Sequence, residues 1–76
     1  MNALLLLFDA VLALTLIGLA VRTLTTADQF EAVVAFMVFG LLMAVAWTRL
    51  HAPDIALAEA AIGAGLTGSL FLNALR

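Results

Sequence analysis

Six side chains in this sequence could take up and release a proton or hold a small cation, and four of them are the candidates for that role: Asp9, His51, Asp54 and Glu59. Glu59 is the most informative. It sits in an apolar, small-residue run, His51-Ala-Pro-Asp-Ile-Ala-Leu-Ala-Glu-Ala-Ala-Ile-Gly-Ala-Gly-Leu-Thr-Gly68. An ionised acid near the centre of a bilayer costs roughly 2.5–3.5 kcal/mol, so an acid in a membrane helix has either a partner or a job. The job that suits it is ion or proton movement. The plainer alternative is that Glu59 and Asp9 hydrogen-bond neighbouring subunits and set helix register.

The composition dictates the elements that must position these groups. The chain has 76 residues, of which 67% are hydrophobic and 11% charged. Soluble domains carry about 25% charged residues, and a chain this small cannot bury so much apolar surface in a core of its own. With a net charge of −2 and no basic patch, nucleic acid is excluded as a partner. There is no cysteine, and one histidine among scattered acids offers no metal-ligand cluster. No nucleophile–base pair or cofactor loop is visible, so the chain reads as neither an enzyme acting alone nor a cofactor carrier.

A membrane-spanning helix needs about 20 residues. Three such stretches are present, at about 3–22, 29–50 and 53–75, predicting an all-α integral membrane subunit of three transmembrane helices in one domain. The first stretch lacks a basic leader and a small-residue cleavage site and contains Asp9, so it reads as a retained span rather than a signal peptide. Asp28 is placed to cap the second helix, with Glu31 reaching back as its capping-box partner. Pro53 suits the first turn of the third helix, and Asp54 beside it suits the positive end of the helix dipole. In the second helix, Phe36, Phe39, Met43 and Trp47 recur at helical spacing and read as packing or lipid contacts.

This up-down order sets helices one and three starting on the same side. At 1.5 Å rise per residue, Asp9 and Glu59 each lie roughly 9 Å along their helices, with Asp54 and His51 nearer the surface. The expectation is a descending set of protonatable groups in one leaflet. His51 also reads as an interfacial loop residue and Asp54 as a helix-start residue. Small residues follow Glu59: Ala60, Ala64 and Gly68 share one stripe, and Ala61, Gly65 and Ser69 another. They predict close helix packing in lipid, or a π-bulge or hinge at Gly63, Gly65 and Gly68. Arg22 and Arg76 fall on one side, Arg49 and His51 on the other with the N-terminus, which favours an external N-terminus.

The run from Phe39 to Thr67 resembles the small three-helix module of Mrp-type cation/proton antiporters, found there in the C-terminal region of the large A subunit or as a separate subunit. It is similar also to the D subunit of membrane-bound hydrogenases and to the J subunit of respiratory complex I. The resemblance rests on Ala52-Pro53-Asp54, Ala56-Leu57, Glu59-Ala60 and Gly63-Ala64-Gly65. It implies a multi-pass subunit of a prokaryotic plasma-membrane complex, partnered by the complex's other membrane subunits and the lipid bilayer. It further implies a role in moving Na+ or H+, with Glu59 and Asp54 on the ion path. Asp9 lies outside the motif and enters by its depth alone, and His51 by its place at the surface. A separate chain of this length departs from antiporters that fuse the module to the A subunit, which leaves hydrogenase-type and split-subunit contexts open. A subunit that only braces its complex is the blander alternative. An ATP-synthase rotor subunit fits poorly, because its glycines belong in the first of two helices and here they follow the acid in the last of three.

Overall fold

The computed structural model describes residues 2–74, apart from the side chains of residues 66, 67, 71 and 74. Arg76, on which part of the orientation argument rests, and the last residue of the expected third span lie outside the described residues. Three α-helices account for nearly all of the chain: α1 (Ala3–Thr25), α2 (Gln29–Arg49) and α3 (Pro53–Ala74). Among the described residues there is no strand.

Each helix boundary has a local chemical cause. Asn2 caps α1, its side-chain oxygen accepting from the Leu4 N–H at 2.8 Å. The helix runs on to Thr25, three residues past the expected end at Arg22. The hydroxyls of Thr23 and Thr25 donate back to the carbonyl oxygens of Leu19 and Val21, at 2.8 and 2.7 Å. These polar side chains satisfy themselves on the helix and so do not end it.

Asp28 caps α2 as expected, accepting from the Phe30 and Glu31 N–H groups at 3.0 and 3.4 Å. Its expected reciprocal partner does something else. The Glu31 carboxylate pairs with Arg22 across the turn, and the Asp28 N–H donates instead to the Thr26 hydroxyl at 3.4 Å. A guanidinium within reach outcompetes a single neutral N–H for a carboxylate.

The turn between α2 and α3 is tight. Leu50 is the C-cap of α2, and the N–H groups of His51 and Ala52 reach back to the Thr48 and Trp47 carbonyls at 3.0 and 2.9 Å. These two bonds form a Schellman motif, which requires its central residue in the left-handed region, usually a glycine. Here that residue is His51, with φ of 61°. His51→Gly is therefore expected to stabilise the turn by up to about 1.5 kcal/mol, since it relieves about 1–2 kcal/mol of left-handed strain and adds about 0.5–1 kcal/mol of glycine entropy. Thermal unfolding of the full chain in detergent, followed by circular dichroism, measures this. Pro53 then opens α3 with Asp54 in its first turn, as the sequence predicts.

All three helices were free to interact by sequence alone, but they do not form a closed bundle. α2 packs on both α1 and α3, and α1 and α3 make no contact with each other among the described residues. The chain measures 48 × 26 × 13 Å. Three helices side by side at the usual spacing span about 20–25 Å, which matches the middle dimension. Such a layer buries very little of itself. Ala35 and Ala56 are its buried hydrophobic residues, while Leu4, Leu14, Ile17, Leu24 and Leu57 are well exposed. Apolar surface on this scale belongs against lipid or other membrane subunits. α1 and α2 are long and apolar enough to cross a membrane. At 22 residues, α3 has a comparable length.

Candidate functional site

α3 carries two of the expected site residues, and its burial pattern shows how it lies. Ala56 and Gly63 are buried, and Glu59 and Ala60 between them are half-buried. Positions 56, 59, 60 and 63 form one helical stripe. Because among the described residues α3 packs only on α2, this stripe is the one that faces α2. Glu59 therefore sits along the α2–α3 seam. Among the described residues its carboxylate makes no hydrogen bond or ion pair. The same holds for the side chains of Asp54 and His51, both of which are exposed near the turn.

Asp9 stands apart from the other three. It shares an end of the layer with His51, Asp54 and Glu59, but it lies on α1, with α2 standing between it and α3. Its two carboxylate oxygens accept from Arg49, Oδ1 from Nε at 2.7 Å and Oδ2 from Nη2 at 2.8 Å. This is the bidentate fork that only arginine provides. Asp9 and Arg49 are partly shielded, their side chains 43% and 31% exposed. Beside the pair runs a groove of about 270 Å³ between α1 and α2, lined otherwise by Leu12, Ala13, Leu16, Ala46 and Leu50.

Arg49 is the site member that the sequence does not announce, since by position it reads only as an orientation signal. Asp9 and Arg49 are 40 positions apart. The one available signal is topological: in an up-down hairpin, an acid near the start of the first helix and a base at the end of the second share an end.

The glycines of α3 behave unlike a tight packing seam. A Cβ added at Gly63, Gly65 or Gly68 would meet nothing within 4 Å. The same is true of Gly40, which is buried on α2. Close approach of α2 to α3 thus does not require these glycines. α3 also runs as uninterrupted α-helix through all three positions, with no π-bulge in this conformation. Gly63→Ala should be accepted and should stabilise the helix by about 0.5–1 kcal/mol, the usual gain of alanine over glycine in a helix interior. Thermal unfolding of the full chain tests this. A hinge at Gly63 would show itself separately, as transport lost while stability rises.

Residues 13–76 match the MbhD family, the D subunit of MBH. The chain belongs to the MbhD family. The match takes in most of α1 and all of α2 and α3, and so includes Arg49, His51, Asp54 and Glu59 but leaves Asp9 outside. Neither the curated proteins nor the solved structures contain a match. MbhD-family chains are membrane subunits of multisubunit complexes. That membership agrees with a thin, apolar layer exposing both of its faces, and with the resemblance carried by the Ala52–Gly65 segment.

Proposed function

We propose that this chain is a membrane subunit of an Mrp-type cation/proton antiporter or a closely related ion-pumping complex, and that Glu59 is the group through which it takes part in proton or cation movement. The observation that carries the reading is the setting of Glu59. It is a half-buried carboxyl on the seam between two apolar helices, inside the family-matched segment, with no polar partner among the described residues. A carboxyl so placed has its lone pairs available to a proton, a water chain or a sodium ion. Asp54, in the first turn of α3, and His51, at the turn itself, are the groups that feed it from the surface. Gly63, Gly65 and Gly68 lie deeper on the same helix and would let it flex when the ion passes. The N-terminus lies outside the cell and the three spans cross its plasma membrane.

The test is cation-driven proton movement in inverted vesicles holding the complete complex, with Glu59→Gln compared against the native protein. Loss of movement in an assembled complex supports the path. Normal movement leaves the chain a bracing subunit.

A second reading is favoured by the family itself, whose description names an MBH subunit. In that reading the same chain belongs to the membrane arm of an energy-converting hydrogenase, and Glu59 serves a pump driven by a redox module. Purification of the native complex separates the two: iron–sulfur or nickel-site proteins in it select the hydrogenase.

A further inference from the structure

The two ion pairs among the described residues join the same two helices at opposite ends. Arg22 and Glu31 flank the α1–α2 turn, and Asp9 and Arg49 close the far end. Between α2 and α3, by contrast, no side-chain hydrogen bond or ion pair occurs among the described residues. The Asp9–Arg49 contact is also complete in itself. Both carboxylate oxygens are engaged by two different guanidinium nitrogens at 2.7 and 2.8 Å. The groove beside them is otherwise apolar, so neither charge has a substitute partner within the groove if the other is removed.

We propose that Asp9 and Arg49 form a closed charge clasp that holds α1 against α2, and that Asp9 is a counter-ion to Arg49 rather than a member of the ion path. An acid two turns inside an apolar helix is costly alone, and pairing it with a base on the neighbouring helix removes most of that cost. The clasp also divides the chain functionally. α1 and α2 form a hairpin pinned at both ends, and the groups left to the ion path all follow the turn.

The signature of a clasp is coupling: either charge alone is worse than neither. The experiment uses the complete complex carrying Asp9→Asn, Arg49→Gln or both. Two quantities are read, the amount of assembled complex on a native gel and the ion transport per assembled complex. Arg49→Gln is expected to lower assembly several-fold, because it strands a carboxylate within α1. Asp9→Asn should be milder, because the arginine stands at the last residue of α2 and can extend its head toward the interface. The double variant should assemble better than Arg49→Gln alone, and Asp9→Asn should transport normally per assembled complex. A double variant no better than the worse single one would overturn the clasp. So would Asp9→Asn that assembles fully and fails to transport, which would return Asp9 to the path. Assembly is read without reference to Glu59, so this result stands apart from the reading of α3.

Discussion

Glu59→Gln is expected to stop ion-driven proton movement by the complete complex while leaving that complex assembled. Glutamine keeps the shape of the side chain and its place on the α2-facing stripe, and it removes the ability to exchange a proton. Among the described residues the carboxylate bonds to nothing, so the amide forfeits no internal hydrogen bond and no ion pair. Structural damage should therefore be small. Replacing a positioned proton-transfer group lowers rates by about 10²–10⁴-fold, and a loss at the lower end of that range is already far outside the error of a vesicle assay. Glu59→Asp adds a control. It keeps the acid, withdraws it toward the α3 backbone by one methylene, and should retain part of the activity. Full transport by the glutamine variant would place Glu59 with the packing residues of α3.

The second large effect is expected at Arg49. Arg49→Glu sets two carboxylates against each other across the α1–α2 groove, where Asp9 has both oxygens engaged in the native chain. Like charges at that separation repel, and the apolar lining of the groove supplies neither a counter-charge nor a donor. α1 should come away from α2, and little assembled complex should remain on a native gel. Arg49→Lys should fall between this variant and the native protein, because one ammonium cannot engage both oxygens as the planar fork does. Restoration of assembly when Asp9→Arg is added to Arg49→Glu would show that the two positions act as a pair. Assembly by Arg49→Glu at the native level would show that α1 is held by apolar contact alone.

Much of this architecture is legible along the chain because it rests on local chemistry. Asp28 is a good cap wherever a helix starts after it, and Pro53 opens a helix because its fixed backbone angle and missing N–H suit a first turn. The end of α1 is less legible. Thr23 and Thr25 look like loop residues by type, and only their bonds to the preceding turn show that they prolong the helix. The choice made by Glu31 was likewise open. A capping box and an ion pair were both within its reach, and the position of Arg22 across the turn decided between them.

The site divides in the same way. That Glu59 is an acid amid alanine and glycine is a fact of the sequence, and so are its spacing from Pro53 and the family resemblance of its surroundings. Together these determine a membrane-subunit character, three helices and a carboxyl set in an apolar helix. They do not determine neighbours. Hydropathy specifies that a helix enters an apolar medium, yet it is nearly blind to which helix lies beside which, since lipid and leucine are alike to it. The tertiary structure alone decided that α2 stands between α1 and α3, that Glu59 lies on the seam with α2, and that Asp9 faces Arg49 rather than the acids of α3. The physical reason is that a contact between residues 40 positions apart depends on the rotation and tilt of two helices, which the packing of many side chains settles at once.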